Sequence, residues 1–182
     1  MVRPTTPARL TLLVLHACLA SACAHAPAVA TDAPYSLPAN GPVDVRWREP
    51  SQFEEMRYGQ ASFEDRRGEW VEELAQHLRE RAASRLAPGD HLLVEFIDID
   101  RAGDFERWRA VGVQDTRVVR DIYPPRMRLN FVHTDANGTV LAQGERRLTD
   151  AGFLSGARGI DSDRLRFEKR LLDQWLVREF PR

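Results

Sequence analysis

Between Val43 and Arg48 apolar and charged residues alternate, with Val43, Val45 and Trp47 on one side and Asp44, Arg46 and Arg48 on the other. A two-residue repeat predicts a half-buried strand, and Pro50 closes it. From Asp65 to Leu86 the repeat lengthens. Trp70, Leu74, Leu78, Ala82 and Leu86 recur every four residues, Val71 and Ala75 widen the stripe, and Glu72, Glu73, Gln76, Arg79 and Glu80 lie opposite. That spacing predicts a helix buried along one side and ended by Pro88-Gly89-Asp90.

The run HLLVEFIDID, His91 to Asp100, is apolar on both faces and predicts a central strand. TRVVRDIY, residues 116–123, predicts a short strand that breaks at Pro124-Pro125. Alternation then returns, with Met127, Leu129 and Phe131 facing one way and Arg126, Arg128 and Asn130 the other. Asp135 to Gly138 predicts a hairpin turn in which Asn-Gly supplies the positive φ angles. After a glycine-spaced loop, Leu165, Leu172, Leu176 and Phe180 align, with Leu171 and Trp175 beside them, predicting a last helix capped by Ser162 or Asp163. Trp47, Trp70 and Trp175 all fall on the apolar stripes. The order strand, helix, several strands, helix predicts an α+β fold. Its expected form is a two-layer sandwich, a mainly antiparallel sheet of four to five strands with two helices on one face.

The amino terminus follows a different logic. Arg3 and Arg9 precede an apolar run from Leu10 to Ala22, and small residues follow, as in a secretory signal over residues 1–24. Cys23 has two possible fates. LASAC sets Leu19 one residue too far for a standard lipidation signal, while Ala22-Cys23-Ala24 and Ala28-Val29-Ala30 offer cleavage sites. Lipidation and loss with the signal both stay open. Residues 25–41 are rich in alanine and proline and read as a tether, leaving 42–182 as a single domain. No later stretch reaches the ~20 apolar residues of a transmembrane helix. The expected location is the periplasm or the outer membrane, through a lipid anchor.

Composition removes several function classes. Cys18 and Cys23 both lie in the leader, so the mature domain is expected to have no thiol nucleophile, thiolate metal site or disulfide. With 26 basic and 27 acidic residues there is no basic excess to suit nucleic acid. No nucleophile elbow, HExxH pair or phosphate-binding glycine loop occurs. His77, His91 and His133 are too scattered to suggest zinc. No cofactor is implied.

The chemistry that remains is acidic: Asp98, Asp100 and Asp104, around Gly103. A regular strand through Asp100 sets Leu92, Val94, Phe96, Asp98 and Asp100 on one face, with the two carboxylates roughly 7 Å apart. Asp98, Asp100 and Asp104 are weak candidate ligands for a hard cation in a loop that partly echoes a calcium site. Ala102 and Arg109 stand where that site needs oxygen. Paired carboxylates also suit acid–base work. The stronger reading is structural: the carboxylates mark where the strand leaves the core and pair with Arg126 and Arg128 on a neighbouring strand. Trp108, in the loop after the acids, either covers the core edge or makes a contact.

Three segments carry a resemblance: DHLLVEFIDIDRAGDFERW, then RDIYPPRMRLNFVHTDANGTVLAQGERRLTDAGFL, then RFEKRLLDQWL. They resemble the bacterial domain of unknown function 3016 across the mature domain, most specifically at Asp98 to Gly103 and Pro125-Arg126. That family usually has leucine after the second aspartate, where this chain has Arg101, so a buried apex at Arg101 is not expected. The resemblance implies export in Gram-negative bacteria and no assigned activity. The element order is also similar to small envelope lipoproteins that serve transport complexes, an analogy of architecture alone. The expectation is a non-enzymatic binding or accessory module of the cell envelope, partnered by another envelope protein, with Asp98, Asp100, Asp104, Trp108 and Arg126 as binding candidates. The alternative is a metal-assisted hydrolase or calcium-stabilised binder using the three aspartates.

Overall fold

A computed structural model describes residues 35–58, 68–106, 116–156 and 162–181. Five strands form one sheet in sequence order: β1 (Tyr35–Ser36), β2 (Val43–Trp47), β3 (His91–Asp100), β4 (Arg126–Thr134) and β5 (Val140–Thr149). Only the β2–β3 pair is parallel. The crossover between them carries the short helix α1 (Glu54–Tyr58) and the long helix α2 (Glu69–Ala83), and α3 (Arg166–Glu179) closes the domain. The α+β two-layer arrangement is as the apolar pattern requires. β1 falls inside the stretch read as a tether, where Tyr35 stacks on Trp47 with ring centroids 6.3 Å apart.

One core holds the layers together. Val43, Val45, Leu92, Val94, Phe96, Leu129 and Phe131 from the sheet meet Trp70, Leu74 and Leu78 of α2 and Leu171, Trp175 and Leu176 of α3. Trp47, Trp70 and Trp175 are all buried. Near the carboxyl end of α3, Phe131, Trp175 and Phe180 meet edge to face, with centroids 5.8 to 6.3 Å apart.

The most consequential departure from the expected pattern lies in β3. Its pairing with β4 slips between Phe96 and Asp98, so Ile97 is an extra residue. Since side chains alternate with a period of two, one inserted residue moves everything beyond it to the opposite face. Ile99 therefore opposes Met127 and is buried in the core, while Asp98 opposes Arg128 and Asp100 opposes Arg126 on the other face. The two aspartates do not share a face with Leu92, Val94 and Phe96, as a regular strand would require.

Three smaller corrections follow. Residues 116–123 form no strand; Val118 makes one bridge to Asp104, and the chain then turns, with the Tyr123 N–H donating to the Arg120 carbonyl at 3.0 Å. In the turn of the β4–β5 hairpin, Asp135 to Gly138, Gly138 alone takes a positive φ, of 82°. Asn137 is held instead by its N–H, which donates to the Asp135 carboxylate at 2.8 Å. At α3 the cap position is Leu165 rather than Ser162 or Asp163; Asp163, two residues earlier, accepts the Leu165 N–H at 2.8 Å just before the first turn.

Candidate functional site

The bulge gives Asp98 a structural task. Turned out of the core, its Oδ1 accepts the Glu54 N–H at 2.8 Å, the first amide of α1. Asp98 thereby fastens α1 across the end of β3, and no ion pair joins it to Arg128 among the described residues. A carboxylate in this role resembles a helix cap. Asp98→Ala is expected to lower stability by about 1 kcal/mol, and Asp98→Asn by less, because an amide oxygen still accepts. Urea titration of both variants checks the order.

Anchored in this way, α1 turns Glu55 inward. Its buried carboxylate accepts from the Arg101 N–H and Nε, each at 2.9 Å, and also ion-pairs with the guanidinium groups of Arg101 and Arg117. Arg101 lies 4.3 Å over the Trp70 ring and is only 7% exposed. The expectation that Arg101 would avoid burial is therefore overturned. Its charge is neutralised by Glu55 and its flat face is covered by an indole, so it enters a site suited to leucine. Arg117 Nη1 donates to the Gly103 carbonyl at 2.8 Å. Behind this group the Ala102 N–H donates to Glu168 at 2.7 Å, and burial pushes the Glu168 carboxyl up.

Above this buried cluster opens a cleft of about 250 Å³, lined by Asp100, Phe105, Arg117, Ile122, Tyr123 and Arg126 among others. Gly103 shapes its floor. With φ at 87°, a Cβ there would stand 2.9 Å from the Val118 carbonyl oxygen, so the loop closes only around glycine. Asp100 and Arg126 face each other at 3.7 Å, with side chains 32% and 60% exposed. That distance exceeds a hydrogen bond. Burial first, then repulsion from Glu55, pushes the Asp100 carboxyl up to about 6, against the pull of Arg126 and Arg117.

The three aspartates are thus distributed rather than gathered. Asp100 and Asp104 line the cleft, while Asp98 lies with Asp100 along a neighbouring groove. Asp104 Oδ1 accepts the Phe105 N–H at 2.7 Å. Among the described residues no three histidine, cysteine or acidic side chains are placed to hold a metal ion. His77 and His133 pair separately, with Asp173 at 3.2 Å and Asp90 at 2.9 Å. Trp108 and Cys23 lie outside the described residues.

Residues 41–178 match the family model described as Protein of unknown function (DUF3016). The chain belongs to this family. No curated protein and no solved structure matches it. The DUF3016 match takes in the whole cleft and every element from β2 through all but the last residue of α3. No helix among the described residues is long and apolar enough to cross a membrane. Sequence reasoning missed Glu55 and Arg117, which frame the site. It also missed Glu106, buried and bonded to Arg120 at 2.7 Å and to the Tyr123 hydroxyl at 3.3 Å.

Proposed function

We propose that this DUF3016 member is a non-enzymatic module of the cell envelope that binds a component of that compartment in the cleft at Asp100 and Arg126. Residues 1–24 direct its export, and it ends in the periplasm or on the outer membrane through Cys23. The observation that carries the reading is the loose pair itself. Two opposite charges stand 3.7 Å apart, both partly exposed, beside an Ile122 side chain that is 62% exposed. Arg146 and Glu179, by contrast, close to hydrogen-bond distance at 2.7 Å. Support also comes from Asp98 and Asp104, whose carboxylates hold backbone N–H groups of their own fold.

A photo-crosslinking residue at Ile122, expressed in the exporting cell, tests this. The expected result is a discrete mass adduct at position 122 and none at Val177, which is 52% exposed on α3. No adduct at 122, or the same adducts at both positions, contradicts the reading. Intact mass of the mature amino terminus reads whether Cys23 carries lipid.

A further inference from the structure

We infer that the cleft takes a zwitterionic α-amino acid with an apolar side chain, its carboxylate on Arg126, its ammonium on Asp100 and its side chain against Ile122 and Phe105. The inference rests on the cleft being a binding site and adds the class of ligand.

The charges select it. Among the described residues the side chains of Asp100 and Arg126 make no hydrogen bond; they pair only loosely, 3.7 Å apart. Every other inward charge has a partner. Glu55 is taken by Arg101 and Arg117, Arg117 also by the Gly103 carbonyl, and Asp104 by the Phe105 amide. Glu54, at the rim, is exposed. A ligand with one charge satisfies Asp100 or Arg126 and sets the other against a like charge in a partly desolvated place, which is costly. A zwitterion satisfies both. In an α-amino acid the two groups sit on one carbon, a spacing that suits protein charges 3.7 Å apart. In a peptide they lie at opposite ends of the chain. The volume, about 250 Å³, is small for a binding pocket and fits a single residue. Phe105, Ile122, Tyr123 and Pro124 give the cleft its apolar lining, so the ligand's side chain is apolar.

The pH dependence has a definite sign. The charged and titratable groups around Asp100 are Glu54 and Glu55 from α1, Asp98 and Arg101 beside it, Asp104, Arg117, Tyr123 and Arg126 around the cleft, and Arg128 and Arg147 along the neighbouring groove. An ammonium group binds the ionised carboxylate, which is lost as pH falls through about 6. Affinity therefore falls towards acid, and the bound ligand in turn draws the Asp100 carboxyl down.

Three probes with one carbon skeleton separate the possibilities: leucine, leucinamide and 4-methylpentanoate, titrated into the full-length mature protein and followed by amide NMR. Leucine is expected to shift Gly103, Ile122 and Arg126 saturably, with both analogues at least about tenfold weaker. Lowering the pH from about 7 to about 5 is expected to weaken leucine about tenfold. Arg126→Gln and Asp100→Asn should each weaken it by at least about tenfold while keeping native amide dispersion. Either analogue binding as well as leucine overturns the zwitterion and leaves the binding cleft standing. If no probe shifts the cleft but position 122 still crosslinks in cells, the amino-acid class alone falls. If both fail, the binding reading falls with it.

Discussion

Replacing Glu55 by alanine is expected to remove about 3–5 kcal/mol of unfolding free energy, the typical result of stripping one partner from a buried ion pair. Arg101, 7% exposed, loses the Glu55 carboxylate that accepts from its backbone N–H and pairs with its guanidinium. A small domain has roughly 5–15 kcal/mol in total, so the variant is near the edge of folding. Arg101→Leu should cost much less, because Glu55 retains Arg117 and leucine packs on the indole. Glu55→Leu combined with Arg101→Leu should recover most of the loss, since apolar replacements of whole buried pairs are commonly neutral. Urea titrations give the three values on one scale. A cost below about 1 kcal/mol for Glu55→Ala would show that the cluster does not anchor α1.

Asp100→Asn is expected to act in the opposite direction and stabilise the protein near neutral pH. The folded carboxyl titrates at about 6, above the unfolded value of about 3.9. A raised acid contributes stability that is fully present below about pH 4 and lost as pH rises through about 6. A gap of roughly 2 units corresponds to about 3 kcal/mol. The side chain is 32% exposed, so solvent screening brings this to about 1–2 kcal/mol. Asparagine removes the ionisation and with it this part of the pH dependence. The difference between the two proteins, measured from about pH 4 to about pH 7.5, isolates Asp100 from other acids. Glu179 and Asp163, for example, are drawn down by Arg146 and Lys169 and lose stability towards acid instead. An asparagine variant less stable than the parent at neutral pH would contradict the assignment. A residue held against stability is what a recognition site commonly contains.

Period decided what could be read in advance. β2, β4 and both long helices announce themselves because each repeats its apolar positions at least three times. The bulge in β3 was legible too, though easily overlooked. Leu92, Val94 and Phe96 put the apolar phase on even positions, whereas Ile97 and Ile99 put it on odd ones. The adjacent pair Phe96-Ile97 conceals the change. Reading that shift would have sent Asp98 and Asp100 to the outer face. Asp100, Asp104 and Arg126 do meet in one cleft, as nearness in sequence and strand pairing suggested. Glu55 and Arg117 had no comparable signal. α1 has five residues, too few for a repeat, and Arg117 flanks a single bridge. Their partner Arg101 lies 46 residues from Glu55, and only packing joins them.

The unfolding midpoint measured with calcium, magnesium, manganese and zinc in turn is the most direct examination of whether these aspartates serve the fold or an ion. If Asp98 holds α1, Asp104 its own loop and Asp100 faces Arg126, no ion raises the midpoint. Stabilisation by about 2.7 kcal/mol at 100 times the dissociation constant, abolished by Asp98→Asn or Asp104→Asn, would contradict that arrangement.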